Sequence, residues 1–356
     1  MGRRVIDELL PQVRRNCLIS DAEFWGYYST CGLLLRLREQ YRFEAGLPPG
    51  AQVDIRKVGA WIEEREAEWQ RLEGKPLCRL EVNGKDYDPY DVDGIGSLIE
   101  PEGYIYGGGH GVYMKPVFFL AELRNKRMTG EYSTLIAGRE LVRDLSIHPA
   151  MSREGVIVAR SEVAHAMLRD RFDEYRASRR QGMLCLAFEA YGIGPETREE
   201  SIRDAADSEL DSFIHHEYGE LKESERLGSD WTDLVDALGT SRTGLQLRGV
   251  KDALADTTGN GMLSHIINKQ KSGSLYFYVS SLTGIRYTLA THVVHAVKDF
   301  TGANDWNIIE MARKNSYNAA QAVAEECLSV YRTSLEGGLL EEALKAVLLR
   351  ACPLNS

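Results

Sequence analysis

The stretch SELDSFIHHEYGELKESE, residues 208–225, decides how the second half of the chain is read. On a helical wheel that starts near Thr197, residues Ile202, Ala206, Leu210, Phe213, Ile214 and Leu221 form one apolar stripe, which predicts a long amphipathic helix. From Glu199 to Arg226 there are ten acids against three bases, so most carboxylates belong to a solvated face. Glu217 falls near the centre of the stripe and Glu220 at its edge, so the periodicity turns Glu217 inward. A buried carboxylate needs a cation, hydrogen-bond donors or a metal to offset its desolvation. His216 lies one residue before it and four before Glu220, which puts His216 and Glu220 on a shared face.

Downstream of this helix the same periodicity predicts helices near residues 230–239, 244–256, 261–270, 275–300, 305–333 and 337–350. The helix over 275–300 carries a second constellation, His292, His295 and Asp299, spaced by three and four beside an apolar stripe. Two imidazoles and a carboxylate suit a zinc or iron ion, and helical proteins assemble such sites from facing helices. The expected metal ligands are therefore His216, Glu217, Glu220, His292, His295 and Asp299. The competing reading keeps His295 and Asp299 as a surface pair and pairs Glu217 with an arginine such as Arg286. The zinc-protease pattern His-Glu-x-x-His is missing, and Glu-x-x-His occurs once, at Glu162 to His165.

Upstream, Ser20-Asp21-Ala22-Glu23 has the spacing of a capping box and predicts a helix that ends at the Leu47 to Gly50 turn. A charged helix over residues 52–72 should bury Val58, Ile62, Trp69 and Leu72. From Pro76 the pattern changes to strands: residues 77–82, the tight turn Asn83-Gly84, a glycine-centred hairpin over Tyr104 to Met114, and strands at 117–120 and 155–159. Helices are expected over 137–144 and 161–180. The run Gly107 to Gly111, with His110 and Lys115, could cradle an anion, although its aromatic flanks favour a structural turn. Residues 86–100 resemble a calcium loop, but Pro89 stands at the first ligand position and an acidic turn is the default.

The fold expected is α+β and mainly helical: N-terminal helices over 1–75, a small α/β part over 76–194, and an irregular C-terminal helical bundle over 195–356. The boundary near 194 rests on the Tyr191-Gly-Ile-Gly-Pro195 turn. A net charge of −10 disfavours nucleic acid and anionic membranes as partners, and no apolar run is long enough to span a bilayer. The six cysteines, at 17, 31, 78, 185, 327 and 352, show no paired spacing, which fits reduced thiols in the cytoplasm. The leading expectation is a metal-binding protein or metal-dependent enzyme with a zinc or iron ion, its reaction unspecified, and otherwise no cofactor. One alternative is a non-catalytic interaction or scaffold protein that docks a protein partner or a second copy of itself. A further alternative is a small-ligand module that uses the Gly107 to Gly111 loop.

Overall fold

A computed structural model of the chain describes residues 2–48, 50–178, 182–333 and 337–351. Cys352 and the end of the 161–180 helix, at Arg179 and Arg180, lie outside the described residues. In chain order the elements are α1 (Gly2–Phe24), α2 (Thr30–Glu44), α3 (Ile55–Leu72), β1 (Leu80–Val82), β2 (Lys85–Tyr87), α4 (Val92–Ile99), β3 (Tyr104–His110), β4 (Pro116–Thr129), β5 (Tyr132–Arg143), β6 (Ala150–Arg153) and β7 (Val156–Arg160). Helices follow: α5 (Ser161–Ser178), α6 (Met183–Ala190), α7 (Glu199–Leu227), α8 (Ser229–Leu238), α9 (Arg242–Thr257), α10 (Met262–Asn268), α11 (Ser272–Ser281), α12 (Gly284–Leu289), α13 (Thr291–Ala303), α14 (Trp306–Tyr331) and α15 (Gly337–Ala351). The fold is α+β and mainly helical, with its strands confined to residues 80–160.

The chain divides into two compact units, one holding residues 1–128, 133–174 and 197–210, the other 129–132, 175–196 and 211–356. In the first, a five-stranded sheet runs in the order β3-β4-β5-β7-β6, antiparallel except for the parallel β5–β7 pair. Both sheet faces are covered. Tyr106, Phe118 and Leu120 pack with Val5, Leu9 and Val13 of α1, whereas Ile105, Phe119 and Ala121 pack with Leu135 and Val158, the two-residue alternation of strands buried on both sides. Asn83 and Gly84 both take positive φ between β1 and β2, as the predicted tight turn requires.

Three expectations fail in this unit. The Ser20-Asp21 capping box is instead the buried interior of α1, where Asp21 accepts from the Leu145 backbone N–H and from Lys115 Nζ at 3.0 Å. Ser29, whose Oγ accepts from Gly32 N, caps the next helix. The helix expected over 137–144 is strand β5, because its buried residues alternate and Glu140 turns inward to Arg160 at 2.6 Å. The glycine-centred hairpin is one strand, β3, paired with β4 around a turn at 111–115. A Cβ on Gly107 would stand 2.0 Å from the Phe119 ring and one on Gly108 would stand 2.8 Å from the Pro89 carbonyl, so these glycines serve close packing. Lys115 faces the protein interior between Asp21 and Asp144, and Tyr106 donates to Pro89 O, so the run offers no anion cradle. The calcium-like segment is helix α4, capped by Asp91.

The second unit is helical. Its core forms two apolar clusters, and α14 contributes to both, with Ile309 and Ala312 in one and Ala320, Ala324 and Leu328 in the other. The expected helix over 275–300 is three helices, since Leu282 is extended and Gly284 takes φ +55°. That break directs Arg286, on α12, toward the acidic side chains of α9.

Candidate functional site

The second unit brings α7, α9 and α12 unusually close. A Cβ on Gly219 would lie 2.2 Å from the Ala255 carbonyl oxygen, and one on Gly249 would lie 2.6 Å from Ile285 Cγ2. Glycine at these two places lets the helices approach until their polar side chains meet. His216 and Glu220 come from α7, Lys251, Asp252 and Asp256 from α9, and Arg286 from α12.

Asp256 is fully buried and accepts two charged hydrogen bonds, from Arg286 Nη2 at 2.6 Å and from His216 Nδ1 at 2.8 Å. Lys251 Nζ lies 2.6 Å from Glu220 Oε2, and Arg286 Nη1 lies 3.8 Å from Asp252 Oδ2. One ligating atom each from His216, Glu220 and Asp252 lie within 4.8 Å of one another, the one such group of three among the described residues. Glu220 Oε1 and Arg286 Nε are among the polar atoms buried here without a hydrogen-bond partner.

The electrostatics follow from this geometry. Burial alone would lower the His216 pKa, but the Asp256 carboxylate, joined by Glu217 and Asp252, outweighs it and holds the imidazolium up at about 10. Burial favours neutral Asp256, yet Arg286 and His216 prevail and keep it below the usual carboxylate range. Asp252 is pushed up to about 6, because burial and repulsion from Glu220 together exceed the pull of Arg286. An ionised Asp256 can only accept, so His216 Nδ1 carries a proton and Nε2 is the nitrogen that can give a lone pair. A carboxylate that orients an imidazole in this way is the usual support for a histidine metal ligand. One imidazole nitrogen and two carboxylate oxygens form a donor set that zinc or ferrous iron accepts, with a coordination position left for water. An incoming ion has to displace the Nε2 proton, and each unit of pKa above the working pH costs it about 1.4 kcal/mol.

Residues 8–160 match the N-terminal domain, and residues 165–347 the C-terminal domain, of a family of unknown function (DUF6866). The chain belongs to the DUF6866 family. No curated protein and no solved structure matches it. All six polar residues of the α7–α9–α12 cluster lie within the DUF6866 C-terminal domain.

Of the six ligands expected from sequence, the DUF6866 C-terminal domain places His216 and Glu220 together. Glu217 is partly exposed, because the buried line along α7 passes through Ser212, Gly219 and Glu223 instead. Glu209 and Glu223 are the deeply buried carboxylates of α7, and Glu223 accepts from Arg226 Nε at 2.6 Å and Tyr317 Oη at 3.1 Å. His292, His295 and Asp299 are exposed on α13, whose buried side is Val293, Val294, Ala296, Val297 and Phe300. Among the described residues they join no group of three ligating atoms. Arg286 pairs with Asp256. Sequence reasoning missed Asp252 and Asp256. Their signal is Asp256 continuing the line of Gly249 and Ala253 on α9, an acid where the helical repeat calls for an apolar residue.

Proposed function

We propose that the DUF6866 C-terminal domain of this chain is a metal-binding module that holds a zinc or iron ion on His216, Glu220 and Asp252. The observation that carries the reading is Glu220 Oε1, a buried carboxylate oxygen without a hydrogen-bond partner beside two further ligating groups. An ion there would satisfy that oxygen, and Asp256 would hold His216 in the ligating tautomer. With zinc the open coordination position suits hydrolysis by an activated water, and with iron it suits oxidation. The five described cysteines are free thiols, which supports a reducing, cytoplasmic setting for such an ion.

A second reading has its own observation. His216 as imidazolium, Lys251 and Arg286 balance Glu220, Asp252 and Asp256, so the cluster closes as an ion-pair network that fastens three helices. In that case the chain is an interaction or scaffold protein that binds a protein partner or a second copy of itself. Elemental analysis of protein purified without an affinity tag separates the two. Near-stoichiometric zinc or iron, lost in a folded Asp252→Asn variant and retained in a His292→Ala, His295→Ala variant, supports the metal module. Protein that carries no metal and takes up neither zinc nor ferrous iron overturns it in favour of the network.

A further inference from the structure

The first unit contains a cavity of about 450 Å³, a size that suits a small molecule. Its flat walls are Phe43, Trp61 and Trp69. The Arg65 guanidinium lies 4.8 Å from the Trp61 ring centre, and that of Arg143 lies 4.3 Å from the Phe43 ring centre. The four arginines of the lining each have a carboxylate partner: Arg14 and Arg65 at Glu44, Arg139 at Glu122 and Arg143 at Glu140.

Two donors in this wall are unmet. Trp69, only 4% exposed, has an indole N–H without an acceptor, and the Arg65 Nε–H is likewise buried and without one. The nearby carboxylate cannot serve them, because Glu44 already accepts from Arg65 Nη2 at 2.6 Å, from Trp61 Nε1 at 3.2 Å and from Gln40 Nε2 at 3.3 Å. Buried donors left without acceptors cost stability, so a ligand that supplies acceptors is favoured.

We propose that this cavity binds a small planar carboxylate, its ring between the aromatic walls and its oxygens on Trp69 Nε1 and Arg65 Nε. The ring answers the flat walls, and the two oxygens of a carboxylate answer the two unmet donors, one of them on a guanidinium. The site belongs to the DUF6866 N-terminal domain and is independent of the metal reading.

The test is a titration of the full chain, labelled with nitrogen-15, in which the indole N–H signals of its five tryptophans are followed. The probes are benzoate and nicotinate, with benzamide as the uncharged ring and acetate as the ringless anion. Saturable shifts of the Trp69 and Trp61 indoles with benzoate or nicotinate, at least tenfold weaker for benzamide and for acetate, are expected. A Trp69→Phe variant assigns the signal and should bind about tenfold more weakly, the loss of one hydrogen bond to a charged acceptor. Benzoate and nicotinate that leave both indoles unmoved at high millimolar concentration overturn the proposal, and so does benzamide binding equal to benzoate. The wild-type titration decides the matter even if the variant does not fold.

Discussion

Replacing Asp256 by asparagine keeps the shape of the side chain and removes the charge that joins α7, α9 and α12. Asp256 is fully buried and neutralises Arg286 at 2.6 Å and His216 at 2.8 Å. Breaking a fully buried pair by removing one partner costs about 3–5 kcal/mol. Here the Arg286 and His216 side chains retain 33% and 19% exposure, so solvent recovers part of that loss. A cost of about 2–3 kcal/mol remains once this screening is allowed for. For a unit of this size each kcal/mol moves Tm by about 2–4 °C, so Asp256→Asn should lower the melting temperature by about 5–10 °C. The assay is thermal unfolding followed by circular dichroism, with Asp252→Asn as the comparison. Asp252 is 36% exposed, 3.8 Å from Arg286 and held above the usual carboxylate range, so its neutralisation should leave the melting temperature unchanged or slightly raised. An Asp256→Asn shift below about 2 °C, less than 1 kcal/mol, would refute the view that this carboxylate fastens the three helices.

Further outcomes are expected elsewhere in the chain. Lys115→Met leaves the buried carboxylates of Asp21 and Asp144 facing each other without their cation, and should cost about 3–5 kcal/mol in urea unfolding, partly restored when both aspartates become asparagine. His148 is held down at about 4, first by burial and then by Arg160, Lys115 and Arg36 against the pull of Asp144. Its folded pKa lies below its unfolded value of 6.5, so this stability is complete above pH 6.5 and is lost as pH falls toward 4. The slope approaches about 1.4 kcal/mol per pH unit, and a His148→Asn variant whose stability falls just as steeply over that window contradicts the assignment. Gly219→Val should push α7 from α9 because even a Cβ meets Ala255 O at 2.2 Å. A loss of about 1–3 kcal/mol is expected, and a variant as stable as the parent would show that the close approach is not needed.

The helices of the second half were legible because each has an apolar repeat long enough to set its period, and α7, α8, α9, α14 and α15 fall within a few residues of their expected positions. The Asn83-Gly84 turn was legible because two successive positive φ values demand these residue types. What failed depended on partners far away in the chain. Ser20 and Asp21 look like a cap until Lys115 and Leu145 take their side chains into the interior. Residues 137–144 carry too many charges to read as a strand unless it is known that Glu140 meets Arg160 across the sheet. The candidate site was half legible: His216 and Glu220 follow from spacing along one helix, whereas Asp252 and Asp256 belong to another helix whose approach is set by glycine.

The burial of Asp21 against Leu145 also bears on how the chain matures on the ribosome. These residues are separated by 124 positions, and the acid's other partner, Lys115, also lies far along the chain. At synthesis rates of about 5–20 residues per second, α1 emerges about 6–25 s before its receptor exists. Over that interval Val5, Leu9, Val13 and Cys17 stay in water as an apolar ridge, since the strands that will cover them have not been made. Helix α1 is therefore among the last elements of the first unit to settle, its apolar side covered only when β5 and the segment after it arrive.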